Sequence, residues 1–177
     1  MHNFQDLISV FKECFFISHN TVLVKGEGEP IYLPQNESRN HNEIHFAHGF
    51  FASALHEISH WLIAGEQRRK LEDFGYWYEP DGRSEAQQSL FEKMEVKPQA
   101  IEWILSKACG FSFRVSCDNL NGHESDTEPF KKAVLEQVKT YLKNGLPERT
   151  EKLKSALSKF YKNEIILTAD DFSLNEL

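Results

Sequence analysis

Apolar residues recur at intervals of three and four along much of the chain, which predicts a protein built mainly from amphipathic helices. The first such stretch predicts a short helix over Phe4–Cys14. A stronger stretch begins at Gly49 and predicts a second helix that Gly65 closes. Its apolar positions are Phe50, Phe51, Ala54, Leu55, Ile58, Trp61 and Leu62.

The second half of the chain adds helices with recognisable ends. Ser84 and Gln87 form a candidate capping box at the start of one of them. Pro98 either kinks this helix or starts another, which ends at Gly110. Two further helices are predicted over Thr127–Asn144 and Pro147–Tyr161.

Three short stretches near the N-terminus have the composition of strands. Thr21–Val24 and Ile31–Pro34 flank turn-forming residues at Gly26–Pro30, so they are predicted to pair as a hairpin. Glu43–Ala47 is a third candidate strand. The sequence therefore predicts an α+β fold, with residues 1–177 forming a single helix-dominated domain that carries a small N-terminal β-sheet.

Composition and charge narrow the class of protein. The chain has 177 residues, 40% of them hydrophobic, which suits one folded core. A formal net charge of −7 gives no electrostatic support for direct binding to nucleic acid. No apolar run approaches the ~18 residues of a membrane span, and the three cysteines have no CxxC spacing. We expect a cytoplasmic monomer with reduced thiols and no membrane partner.

The sequence His56-Glu57-Ile58-Ser59-His60 is an HExxH motif within the strongest helical pattern. Residues four apart on a helix share a face, so both imidazoles can reach one metal ion. Glu57 points in a different direction but can reach a water held by that metal. The alternative is that both histidines are simply hydrogen-bonded or solvated, although polar groups among these apolar neighbours favour a metal site.

Two imidazoles leave a metal site incomplete, so a third ligand is expected. The candidates are the upstream histidines and the glutamates of the next helical region, which can pack back antiparallel on the HExxH helix. Glu95 and Glu102 share a face with Gln99 between them. Spacing alone does not choose among the candidates, which are His41, His45, His48, Glu92, Glu95 and Glu102.

Two other features have competing interpretations. The loop Asp73–Arg83 is rich in aromatic residues and is either a pocket wall with carboxylates or a cap on the core. The basic run Arg68–Lys70 follows the HExxH helix, where cations favour the carboxyl end of the helix dipole, and docking of a partner is the second interpretation.

Several longer strings resemble the bacterial elongation factor P hydroxylase family. The likeness extends from about Lys25 to Tyr161 and is far more specific than HExxH alone. The strings are FAHGF (46–50), HEISHW (56–61), DFGYWY (73–78), PDGR (80–83), EVKPQA (95–100) and VSCDNL (115–120).

The resemblance implies an enzyme that hydroxylates a lysine-derived side chain on elongation factor P, after that side chain has been extended by a β-lysyl group. It implies a divalent metal ion held by His56, His60 and Glu95, with Glu95 chosen because it opens the EVKPQA string. C–H hydroxylation needs a redox-active metal, so Fe(II) is the expected ion. Because the modified lysine is cationic, the candidate substrate-binding residues are Asp73, Tyr76, Tyr78, Asp81 and Asp118.

The same ligand set with HExxH is also the arrangement of zinc peptidases, in which Glu57 would be the catalytic base. The ligands alone do not separate the two classes. A third alternative is a non-enzymatic binding module stabilised by a closed metal site.

Overall fold

The computed structural model describes residues 2–75, 81–117 and 126–177, and in these residues helices surround one small sheet. The predicted α+β fold is confirmed. In chain order the elements are α1 (Phe4–His19), β1 (Thr21–Gly26), β2 (Ile31–Leu33), β3 (Asn42–Ala47), α2 (Phe51–Ile63), α3 (Glu85–Cys109), α4 (Glu128–Asn144) and α5 (Glu148–Phe160).

The sheet differs from the predicted hairpin in its strand order. β1 and β2 are antiparallel to each other, but β3 lies between them, parallel to β1 and antiparallel to β2. The hairpin prediction is wrong because β3 pairs along all six residues of β1, whereas β2 has only three residues. The longest set of backbone hydrogen bonds is obtained when β3 is central.

The predicted helix ends agree well with the structure where a cap fixes them. The Ser84–Gln87 capping box opens α3, and Gly110 in the left-handed conformation closes it. α3 runs through Pro98 as one helix, which settles the alternatives at this position. α1 is longer than predicted and ends at Asn20, also left-handed. Gly65 does not cap α2 in this way, because the extended Ala64 ends that helix.

The core holds the metal-binding candidates in place from both sides. A cluster between α1, the sheet, α2, α3 and α5 includes Phe11, Phe15, Ile44 and Trp61, all nearly inaccessible to solvent. A second cluster lies between α3, α4 and the C-terminal segment. The three cysteines are buried and form no disulfide. Within the described residues, no helix has both the length and the apolar character needed to cross a membrane.

Candidate metal centre

α2 places two histidines one turn apart beside α3. Ile58 and Trp61 are completely buried and fix the rotation of α2, so that His56 and His60 face α3. Their Nε2 atoms lie 3.2 Å apart. The HExxH spacing therefore converges both imidazoles on one point, as the sequence predicted.

α3 supplies the carboxylate that completes this group. Glu95 is 1% exposed, and its Oε1 lies 3.1 Å from His60 Nε2, while its Oε2 lies 3.5 Å from His56 Nε2. His60 of α2 meets Glu95 of α3, and the earlier His56 meets the later Glu102, which shows that the two helices are antiparallel here. Among the described residues, His56, His60 and Glu95 form the group of His, Cys, Asp and Glu side chains able to hold a metal ion, with ligand atoms within 4.8 Å of one another.

The spacing of the two imidazoles and the Glu95 carboxylate is compatible with a single metal ion. Two donors bound at about 2.1 Å and at a right angle are ~3.0 Å apart, and at a tetrahedral angle they are ~3.4 Å apart. The two Nε2 atoms are 3.2 Å apart, and each lies at a similar distance from one oxygen of Glu95, Oε1 at 3.1 Å from His60 and Oε2 at 3.5 Å from His56. Two imidazoles and one carboxylate are ligands that both iron and zinc accept, so the residues fit the group that the chemistry requires.

Glu102 holds His56 from the opposite side of the imidazole ring. His56 Nδ1 donates a hydrogen bond to Glu102 Oε2 over 2.8 Å. In the neutral ring, which is the form that binds a metal, a proton on Nδ1 leaves Nε2 with its lone pair directed at the candidate site. Glu102, one of the open ligand candidates, therefore contacts the nitrogen that does not face the other two ligands.

Gln99 fixes Glu95 in a similar way. Its Nε2 donates to Glu95 Oε2 over 3.2 Å and also to the backbone carbonyl of Ser116. Its Oε1 accepts from the Ser116 N–H over 3.0 Å. Both ends of the amide are thus used, which ties the candidate ligand to the segment that follows α3.

Opposite charges compensate one another in this buried group. Burial disfavours the charged form of His56, but the charges of Glu95 and Glu102 outweigh it and raise its pKa to about 10. Burial likewise acts against the Glu95 carboxylate, but His60 and His56 lower its pKa to about 2. Burial raises the pKa of Glu102, and the hydrogen bond from His56 only partly offsets that effect.

Glu57 lies close enough to interact electrostatically with the histidines but makes no hydrogen bond to either of them within the described part of the chain. Burial raises the pKa of its carboxyl group. The Asp73 charge acts in the same direction, so Asp73 also lies near this end of the site. Asp73 Oδ1 accepts a hydrogen bond from the Tyr32 N–H of β2.

The remaining sequence candidates lie apart from the ligand group or outside the described residues. His41 Nδ1 bonds to Asn20, and His45 Nε2 bonds to Glu43. Asp81 accepts from the N–H of Gly82 at the start of the segment that leads to α3. Tyr76, Tyr78 and Asp118 fall outside the described residues.

Sequence reasoning identified Glu102 and Gln99 as neighbours of Glu95 but did not assign their contacts. Glu95, Gln99 and Glu102 are spaced by four and three residues, so they form one polar stripe on α3. The signal for their joint role was that this stripe is buried, with Gln99 1% and Glu102 7% exposed. Buried polar groups require partners, and here the partners are each other and α2.

The fold and this group define an α+β protein with two histidines and one carboxylate on antiparallel helices. Comparison with known proteins gives the family. The family described as elongation factor P hydroxylase matches residues 10–172. The elongation factor P lysine hydroxylase of Haemophilus influenzae is 60% identical over 173 residues, covering 98% of this chain and 94% of that protein.

The chain belongs to the elongation factor P hydroxylase family. The match covers the segment that the sequence strings identified and extends beyond it at both ends. Membership identifies the protein as a hydroxylase, an oxidoreductase, and does not favour the peptidase alternative.

Proposed function

We propose that this protein hydroxylates the lysyl-modified lysine side chain of elongation factor P, with Fe(II) held by His56, His60 and Glu95. The observation that carries the proposal is the convergence of these three side chains in a chain of this family. We further propose that residues 1–177 act as one catalytic domain and that the protein is a monomer. We place it in the cytoplasm because a translation factor is its proposed substrate.

Each residue has a specific task in this proposal. Iron, when bound, supplies the redox chemistry that C–H hydroxylation requires. Glu102 keeps the proton of His56 on Nδ1, and Gln99 keeps the Glu95 carboxylate turned towards the histidines. Near-complete burial of Glu95 keeps bulk water from competing at the ligands.

Carboxylates near the ligand group suit a cationic substrate. Glu57 lies within electrostatic range of both histidines and of the Asp73 charge. A modified lysine carries amino groups, and such groups are stabilised by neighbouring negative charge. We assign to Asp73 and Asp81, and to Tyr76, Tyr78 and Asp118, the role of receiving that side chain. Glu57 is the residue that can hold or move a proton near the reacting carbon.

The test is the mass of elongation factor P produced in cells that lack their own copy of this enzyme. Wild-type protein is expected to add one oxygen atom to the lysyl-modified form and none to the unmodified form. Glu95→Ala is the matched inactive control. A cleaved peptide bond would support the zinc peptidase, and an unchanged mass would exclude both activities.

Metal identity is tested on the purified protein. Metal-stripped enzyme is reloaded with Fe(II) or Zn(II) and added to a desalted extract of the same cells, which supplies the electron donor. Iron is expected to restore oxygen addition and zinc to inhibit it. Activity restored by zinc without oxygen would contradict the assignment of iron.

A further inference from the structure

A cavity of about 660 Å³ lies just beyond the C-terminal end of α2, where α1, α2, α3, α4 and α5 meet. Among the described residues, four cationic side chains and the carboxylate of Glu148 line it. The four are Arg68, Lys97, Arg149 and Lys152, and we call this space the cationic cavity. This concentration of positive charge is unexpected in a chain with a net charge of −7.

Part of this charge serves α2. Arg149 Nη2 donates to the backbone carbonyls of Leu62 and Ala64, and Arg69 Nη1 donates to the same Ala64 carbonyl. Cations at the carboxyl end of a helix are favourable because the last carbonyls have no partner within the helix. The positions of Arg69 and of one nitrogen of Arg149 are explained by these hydrogen bonds. At Arg69 they agree with the helix-dipole interpretation of the basic run.

The Arg149 guanidinium also lies 4.6 Å from the centre of the Trp61 ring, and Lys152 donates to the Cys14 carbonyl, but neither contact brings a negative charge. Arg149 Nη1 is buried and has no hydrogen-bond partner in residues 2–75, 81–117 and 126–177. Lys97 is exposed, and neither Lys97, Arg149 nor Lys152 forms a salt bridge within the part of the chain that the structure describes. Cations gathered without carboxylates repel one another, and an anionic ligand removes that repulsion.

Burial and neighbouring positive charge lower the pKa of two groups that line the cationic cavity, His19 and Arg149. Burial lowers the pKa of His19, and the charges of Arg149, Arg69 and Lys152 lower it further. Burial also lowers the pKa of Arg149, to about 10, and Arg69 adds to that effect. The neighbouring charges, in addition to burial, therefore disfavour an added positive charge at both groups.

The position of the cavity relates it to the proposed active site. Leu62, Ile63 and Ala64 line it and follow His60 within one helical turn, so they are about 3–6 Å further along the α2 axis. Lys97 lies two residues after Glu95 on α3. The two sites therefore lie within about one helical turn of each other along α2, a span that one protein substrate can reach across.

We infer that the cationic cavity docks an acidic segment of the substrate protein, whose aspartate or glutamate side chains meet Lys97 and Lys152. The inference rests on the proposed function. The modified lysine itself is excluded as the occupant because it is cationic. The cavity also has apolar walls, including Phe15 and Tyr141, and its volume is in the ~300–1,000 Å³ range of ligand sites, enough for one or two acidic side chains.

The experiment measures KM and kcat for elongation factor P with Lys152→Glu and Lys97→Glu. Lys152 also donates to the backbone carbonyl of Cys14, whereas Lys97 is exposed and makes no hydrogen bond among the described residues, so Lys97→Glu tests the cavity without disturbing α1. The matched control is Lys132→Glu, an exposed lysine on α4 outside the lining. Circular dichroism checks that each variant folds.

Each cavity variant is expected to raise KM about 5- to 10-fold at low ionic strength, with kcat within about 2-fold and a smaller effect at high salt. Lys132→Glu is expected to change neither value. An unchanged KM in both cavity variants, while the wild type still adds oxygen, overturns the docking site and leaves the proposed function standing.

A second arm separates the protein partner from a free anion. Citrate or phosphate at millimolar concentration is added to the wild type and the variants. Tight binding of the free anion by the wild type, together with an unchanged KM for the protein substrate, overturns the inference in favour of a small-molecule site. Absence of added oxygen with the wild type overturns the proposed function and this inference together.

Discussion

Two polar regions lie along α2, and they differ in whether their charges are balanced. At His56 and His60, buried histidines and glutamates compensate one another, and Glu102 and Gln99 hold the candidate ligands in place. Beyond Ile63, four cations and one carboxylate line the cationic cavity, and a buried Arg149 nitrogen has no hydrogen-bond partner among the described residues. Paired charges hold the side chains of the first region in position, whereas an excess of positive charge in the second region favours binding of an anionic partner.

The largest effect on the compensated region is expected from Glu95→Ala. This variant leaves two imidazoles, so metal binding and hydroxylation are both lost, by more than the ~10–100-fold typical of residues that only orient ligands. Metal content and oxygen addition are measured together, with circular dichroism to show that the buried core still folds. Retention of the metal by Glu95→Ala would show that another carboxylate is the ligand.

A smaller loss is expected from Glu102→Ala. Glu102 fixes the proton of His56 on Nδ1 but does not face the other ligands. We expect metal affinity to fall about 10- to 100-fold. If Glu102→Ala loses the metal completely while Glu95→Ala keeps it, the ligand assignment is reversed.

Glu57→Gln is expected to have a milder effect than either. Glu57 has no hydrogen bond to the histidines among the described residues, and hydroxylation does not require a base that activates water. The metal should be retained and hydroxylation should fall by no more than about 10-fold. Turnover abolished with full metal content is the result that a peptidase-type mechanism gives.

The smallest effect on metal binding is expected from a substitution in the cationic cavity. Arg149→Ala removes the hydrogen bonds to Leu62 and Ala64 and the guanidinium that lies 4.6 Å from the centre of the Trp61 ring. The free energy of unfolding should fall by about 2 kcal/mol, with metal affinity within about 2-fold of wild type. Urea unfolding checks this, with Lys132→Ala, at an exposed lysine of α4, as control. Loss of metal in Arg149→Ala would show that the two regions are coupled.

Local signals predicted the helices and the two histidines of the site. A side-chain cap such as Ser84 and the four-residue spacing of His56 and His60 depend on neighbouring residues, so the sequence contains them directly. The strand order depends on which strand offers the longest pairing, and β3 becomes central only when all three strands are placed together.

The third candidate ligand could be predicted only in part from the sequence. Glu95 and Glu102 share a face of α3, and their spacing is compatible with either as ligand. The choice depends on the height at which α3 packs against α2, which places Glu95 at the two Nε2 atoms and Glu102 at Nδ1. The cationic cavity could not be predicted at all, because its four cations come from distant parts of the chain.

The most direct test of the proposed metal centre is anomalous diffraction at the iron edge from crystals soaked with Fe(II) without oxygen. We predict a single peak about 2.0–2.2 Å from His56 Nε2, from His60 Nε2 and from a carboxylate oxygen of Glu95. A peak bound by Glu102 or Glu57 in place of Glu95, or no peak at the histidines, would contradict the account.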